Sequence, residues 1–503
     1  MSRLTLTTTS ALGLLLLAGC SDDNFDVSKQ YGSNPELPAP GQSWLPDLKV
    51  AEVVGWQGEQ TPVVPDGLVV TAFAKDLANP RTVHTLPNGD VLVVQSKGPP
   101  GKPLNRPKDI IRGFIMAMAA GGGGAEAKPT NLITLLRDTN RDGKVDEQSD
   151  LLTGLTSPFG VAWYENTLYV AAADAILSYP YELGQTKIDA APTVLTPLPG
   201  GPINHHWTKD LALSPDGRFL YASVGSNSNA GERGMEAEKG RAAIWQVDRV
   251  TGAAKVFASG LRNPNGLNIH PETGELWTVV NERDELGPNL VPDYMTSVRE
   301  GGFYGWPWSY YGKNVDERVA PPRPDMVESA ISPDYALTSH VAALGLAFTN
   351  DSALPEAYRG GAFVGNRGSW NRSTFNGYKV IYVPFTAGKP SGAPQDVVTG
   401  FLVNEEVRGR PVGLGIDGTG ALLIADDSGG TVWRVAAADG SVTPEPLPTD
   451  RVAAPAASIA PAATSAVPAN AAAPAGNAPE PSQTDVAPAV GAEDGVPAPA
   501  PAN

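Results

Sequence analysis

Six times between Asn79 and Asp427 the chain repeats one short pattern: glycine or proline, an apolar strand, a turn, and a second apolar strand. The copies read NPRTVHTLPNGDVLVVQ, SPFGVAWYENTLYVAA, WTKDLALSPDGRFLYASVG, NPNGLNIHPETGELWTVV, ALGLAFTNDSALPEAYRGGAFVGN and RPVGLGIDGTGALLIADD. Pro-Asp-Gly and Asn-Gly are turn formers, and between apolar runs they predict antiparallel hairpins. Runs such as AAIWQVD, YKVIYVPF and TVWRVA supply further strands, so each unit predicts a four-stranded antiparallel sheet. One such sheet cannot bury both of its faces alone. Radial stacking buries them, which predicts an all-β fold, a six-bladed β-propeller of four-stranded antiparallel blades whose turns crowd around a central channel.

Composition agrees with a single large turn-rich domain. Among 503 residues, 55 Gly and 47 Pro exceed what a helical chain tolerates. The formal net charge of −17 excludes nucleic acid as the partner, because phosphate binding needs a basic face. A single cysteine, Cys20, excludes an intramolecular disulfide. It closes the apolar run ALGLLLLAGC, which is too short to span a bilayer. LAGC resembles the bacterial lipobox. That resemblance implies a lipoprotein signal peptide at 1–20, a lipid anchor on Cys20, and a body held outside the cytoplasm on the periplasmic face. Ser21 points to the outer membrane, with Asp22 and Asp23 close behind. The expected organisation continues with a linker at 21–45, the propeller at 46–439 and a disordered Ala/Pro-rich tail at 440–503, which lacks the side chains to form a core.

Two insertions interrupt the repeats. Gly113 to Thr130 ends in a glycine run and reads as a surface excursion. RDTNRDGKVDEQS sets Asp138, Asn140, Asp142, Gly143 and Asp146 at the spacing of a calcium loop, but Ser149 stands where the bidentate Glu belongs. The segment therefore reads as an Asp/Asn/Gly-rich hairpin turn between NLITLL and DLLTGL, with calcium binding as the alternative.

The turns carry unusual chemistry. SGLRNPNGL, NERDELGPNLVPDYMTSVREGGFYGWPWSYYG, FVGNRGSWNR and RGRP put arginines, asparagines and carboxylates at the starts of inner strands. In this order, and with a histidine ahead of LALSPDG, they resemble the soluble glucose and sorbosone dehydrogenases, on the sorbosone-type side, over about Leu68 to Val435. The resemblance implies an oxidoreductase that uses pyrroloquinoline quinone (PQQ) and Ca2+, oxidises a sugar or sugar aldehyde, and passes electrons to an external acceptor. It implies His206 as the catalytic base, with His205 as the adjacent alternative. It implies Arg262, Asn263, Arg367, Arg408 and Arg410 as cofactor ligands, with Arg372 competing with Arg367. Gly287 and Pro288, through their carbonyls, and Asp293 are the implied calcium ligands. Glu282, Asp284 and Glu285 are either outer support or solvated charges.

One position departs from the family pattern. Ser226 stands where the glucose enzymes place the aspartate that orients the histidine, leaving Asp210 as a substitute. Two other readings of the fold therefore stand beside the first: a binding or scaffold propeller without catalysis, and a calcium-dependent hydrolase of the lactonase kind.

Overall fold

The computed structural model describes residues 25–41, 49–99, 130–201, 203–349 and 352–440. The signal peptide with Cys20, the excursion at 113–129 and the tail beyond Gly440 lie outside the described residues.

All six expected hairpins form, and each grows into an antiparallel sheet. The first sheet runs Pro80–Thr85, Val91–Gln95, Leu132–Arg137 and Glu147–Leu152. The second runs Val161–Tyr164, Thr167–Ala171, Ala175–Pro180 and Thr193–Pro197. The third runs Leu211–Leu213, Phe219–Val224, Ala243–Asp248 and Ala254–Ser259. The fourth contains Pro264–Ile269, Leu276–Val280, Pro292–Ser297 and Tyr335–Ser339. The fifth contains Ala343–Phe348, Gly361–Asn366 and Lys379–Thr386, with Gln395–Val398 on its outer edge. The sixth takes three strands, Pro411–Ile416, Leu422–Asp426 and Thr431–Ala437, from the end of the repeats. Its fourth strand is Leu68–Ala74, from before the first repeat, with Leu68 opposite Ala437.

Six hydrophobic clusters hold these sheets, and each is shared by two neighbours in the series. Val94 and Ile133 of the first sheet meet Val161 and Val170 of the second. The sixth meets the first through Leu423, Val432, Val83 and Val93. Burying one such side chain stabilises by about 1.5–3 kcal/mol. A sheet alone leaves these faces in water, so the pair of sheets is the stable unit.

The first strands of successive sheets lie against one another from the second sheet through the sixth and on to the first. Their spacing explains the glycine in four of the repeats. A Cβ on Gly345 would lie 2.1 Å from Val412 O, and one on Gly413 would lie 2.5 Å from Arg81 O. Only glycine lets the strands approach so closely. The third copy has Asp210 at this position. Its carboxylate accepts from Leu211 N and, across the sheet boundary, from Leu267 N, both at 2.9 Å. Asp210 therefore ties two sheets together and does not orient His206. A cavity of about 210 Å3 is lined from all six first strands, including Thr82, Val161, Leu211, Asn268, Leu346 and Ile416.

One expectation changes in detail and one is met. Part of the expected linker is structured, because Tyr31–Gly32 pairs with Tyr335–Ser339 as a fifth strand of the fourth sheet. The buried Gln30 amide secures it, donating to Asn289 O and accepting from Ser339. The segment from Asp138 to Asp146 is a hairpin turn. Asp138 accepts from the N–H groups of Asp142 and Gly143, and Asp146 accepts from Thr139. These side chains cap their own backbone, as short acidic residues do in turns.

Candidate active site

A cavity of about 440 Å3 lies where the first strands begin. His206, Arg262, Asn263, Arg367 and Asp293, all singled out in the sequence, line it together. Arg81, Arg233, Glu282, Asp284, His340 and two tryptophans, Trp207 and Trp370, complete its charged and aromatic surface.

His206 sits in the turn ahead of Leu211–Leu213, with Nδ1 2.9 Å from Ser226 O. His205 packs edge-on against it at 4.7 Å between ring centres. Gly225 allows the close fit, since a Cβ there would meet His206 Cβ at 2.5 Å and Asn263 Oδ1 at 2.6 Å. Asn263 Oδ1 is buried beside the cavity and receives no donor.

Arg262 uses every N–H of its guanidinium inside the protein. Nε donates to Asn229 O, Nη1 to Asn281 O and Glu282 O, and Nη2 to Asn229 Oδ1 and to Asp284 Oδ2 at 2.9 Å. It gives the cavity a positive charge but no spare donor. Arg367 and Arg81 are different. Among the described residues both bond a single side chain, Asp427, whose Oδ2 takes Arg367 Nε at 2.7 Å and Arg81 Nη1 at 2.6 Å. Burial pushes the Asp427 carboxyl up, yet Arg367, Arg81 and Arg410 together hold it down at about 2. Burial depresses Arg81 to about 10 against the pull of Asp427. One carboxylate thus anchors several cations, leaving excess positive charge at this corner.

One part of the lining is acidic. Burial raises Glu282 and Asp293 to about 7, against the N–H groups that each accepts. The charges of Asp284 and Glu282 add to the rise at Asp293. Glu282 Oε1 is buried with no donor. His340 stands between this wall and the next loop, with Nδ1 3.6 Å from Asp284 Oδ1 and Nε2 3.1 Å from Gly287 O. A cavity lined by both cations and proton-hungry carboxylates suits a polyanion and a metal cation bound together.

Residues 165–434 match the model of the family described as glucose/sorbosone dehydrogenase. The chain belongs to the glucose/sorbosone dehydrogenase family. A protein of Borreliella burgdorferi, itself uncharacterised, is 26% identical over 298 residues, covering 56% of this chain and 76% of that relative. Among solved structures, a Trichoderma reesei enzyme of carbohydrate-active family AA12 superposes with TM-score 0.59 at 19% identity, over 75% of this chain and 98% of that one. The holo PQQ domain of pyranose dehydrogenase from Coprinopsis cinerea gives 0.58 at 19% identity, over 77% and 100%. Glucose/sorbosone dehydrogenases are oxidoreductases by description, and this is the class of chemistry that membership carries.

Measured against the family-based expectations, the remaining site residues divide. Gly287 and Pro288 do not line the cavity, and their carbonyls accept from His340 and from Arg372 Nη1 at 2.6 Å. Arg372 also donates to Asn289 Oδ1, so it clamps this loop while Arg367 faces the cavity. Arg410 lies beside Asp427 and over the Tyr378 ring at 5.9 Å, behind Arg367. Arg408 donates its main-chain N–H to Phe401 O and stays outside the cavity lining. Glu285 is exposed, whereas Glu282 and Asp284 are buried in the wall. Arg81 and His340 are site residues that the sequence reading missed. Arg81 follows Asn79-Pro80 as Asn265 follows Asn263-Pro264, a repeat alignment that could have found it. Among the described residues no three His, Cys, Asp or Glu side chains form a closed metal cage.

Proposed function

We propose that this chain is a PQQ- and calcium-dependent dehydrogenase of a sugar or sugar aldehyde, built on a six-bladed propeller. The observation that carries the reading is the charged cavity, which Arg81, Arg262 and Arg367 line together with Glu282, Asp293 and His206. The six shared clusters, the sixth sheet closed by Leu68–Ala74 and the channel lined from all first strands support the propeller. The Coprinopsis cinerea domain named for PQQ supports the cofactor.

When bound, PQQ with Ca2+ supplies an electron-poor quinone that takes up hydride. Arg81 and Arg367 would hold its carboxylates, with Arg410 beside Asp427, and Arg262 would add charge without a direct bond. Glu282 and Asp293, which line the cavity as Gly287 and Pro288 do not, would be the oxygen donors for calcium. His206 takes the proton from the substrate hydroxyl or aldehyde hydrate. Trp207 and Trp370 offer apolar faces to a sugar ring. One cysteine leaves no C-x-x-C-H haem motif in these 503 residues, so an external acceptor takes the electrons.

Adding PQQ and Ca2+ to the purified protein tests this. A bound-quinone spectrum and dye reduction with an aldose or sugar aldehyde are expected. No quinone binding sinks the reading, and lactone turnover without quinone replaces it with hydrolysis. We further propose that Cys20 carries a lipid anchor on the periplasmic side of the outer membrane. Wild type then partitions into detergent and Cys20→Ala into the aqueous phase; an aqueous wild type overturns the anchor.

A further inference from the structure

The turn that carries His340 into the cavity lining is held in a costly backbone conformation. Thr338, His340 and Ala342 have φ of 71°, 59° and 54°, left-handed values that a β-branched residue such as threonine rarely adopts. Such strain persists only where the surroundings fix it from several sides. On one side Asn376 Nδ2 donates to Thr338 Oγ1 at 2.8 Å and to Ser339 O at 3.0 Å. On another, Ala342 N donates to Asp293 Oδ2 at 2.7 Å, so the turn also holds one of the two raised carboxyls of the cavity.

The third hold comes from far away in the chain. Gln30 is fully buried, and its Oε1 accepts from Ser339 N at 3.2 Å and from Ser339 Oγ at 2.7 Å. Its Nε2 donates to Asn289 O at 2.6 Å. One amide thus joins the residue before His340 to the loop in which Gly287 O lies 3.1 Å from His340 Nε2. Gly41 N adds a second bond to that loop, at Leu286 O, 2.9 Å away. The pairing of Tyr31 with Leu337 sets where Gln30 enters. Both Gln30 and Gly41 lie ahead of residue 165, where the family match begins.

We propose that Gln30 is a positioning residue of the candidate active site. It locks the strained turn of His340 and Ala342 against the Gly287–Asn289 loop, and through Ala342 it keeps Asp293 in place in the cavity lining. The segment ahead of the repeats is then part of the site and not only a tether to it. The inference rests on the dehydrogenase reading only where it names calcium. The coupling of Gln30 to the turn needs no cofactor.

Hydrogen–deuterium exchange of the protein without added cofactor tests that coupling. Gln30→Met keeps the length of the side chain and removes both of its polar ends. Exchange should quicken by about tenfold at 284–291 and 338–342, the effect of a lost buried hydrogen bond, and stay unchanged in the third sheet at Phe219–Val224. An increase confined to 26–32 overturns the proposal, because the turn then stands by itself. One spread evenly over all six sheets also overturns it, because Gln30 then serves stability alone. If Gln30→Met does not fold, Ser339→Ala removes one of the donors and should quicken the same two stretches by a smaller factor; no change there is equally fatal. In the loaded protein, well below its melting temperature, the calcium concentration that half-saturates quinone binding should rise about tenfold or more in Gln30→Met, as when an outer partner of a metal ligand is lost. A lowered melting temperature with an unmoved calcium requirement overturns the positioning role. A wild type that binds no quinone removes the dehydrogenase reading instead, and the exchange result still decides this inference.

Discussion

Arg262 and Asp284 form a buried ion pair, 2.9 Å long, that closes the last free N–H of the guanidinium. The arginine that the family motif marks as a cofactor contact is therefore first a brace, joining the loop at Asn229 to the loop at Asn281–Asp284. Arg262→Ala would take the guanidinium away from a buried carboxylate, a loss of about 3–5 kcal/mol. Urea unfolding measures it. A variant of unchanged midpoint would show that the bonds contribute nothing and that Arg262 serves only a ligand.

Glu282 and Asp293 set a pH dependence on the protein without cofactor. Both carboxyls are raised to about 7 in the fold, from ordinary values near 4. Between those values the folded state binds more protons than the unfolded one, so stability is fullest at the acid end and falls as pH rises. The melting temperature should drop from about pH 5 to pH 8, and the drop should shrink in Glu282→Gln/Asp293→Asn. An equal slope in both proteins contradicts the assignment.

Arg367 and Arg372 compete for one role in the sequence, and their bonds separate them. Among the described residues the Arg367 side chain bonds one partner, Asp427, while Arg372 clamps Pro288 and Asn289. Arg367→Ala should weaken PQQ affinity by about 10- to 100-fold, the worth of a charged hydrogen bond. Arg372→Ala should lower thermal stability and leave affinity within about threefold. Titration of PQQ with calcium present decides, and a reversed order would exchange the two assignments.

Gly345 tests the strand packing. Its missing side chain admits Val412 O at 2.1 Å from where a Cβ would sit. Gly345→Ala should cost about 1–3 kcal/mol as overpacking forces the fifth and sixth sheets apart. Calorimetry checks this; an unshifted transition would mean that the strands separate freely.

The repeats made the six hairpins legible because turn residues and apolar runs act locally, and every quoted copy became a pair of strands. The site was legible where a motif supplied the residue, as for His206 and Arg367. It was hidden where a long-range bond decides the role. Nothing near Asp210 says that its carboxylate reaches Leu267 N, and nothing near Gly287 says that His340 takes its carbonyl. Ser226 is the clearest case. Read alone it is a lost carboxylate, but in the fold its hydroxyl donates to Ser228 O and lies 3.0 Å from His206 Nδ1.

The sixth sheet draws one strand from before the first repeat and three from after the fifth, with Leu68 opposite Ala437. During synthesis Leu68–Ala74 emerges early and must wait for Thr431–Ala437, the last strand of the series, before its edge is paired. A chain cut short by a few residues at Ala437 would lose more than a terminal strand, because the opening would fall between the sheets that carry Asp427 and Arg81. Synthesis of the last strand and completion of the sheet that carries Asp427 are thus a single event.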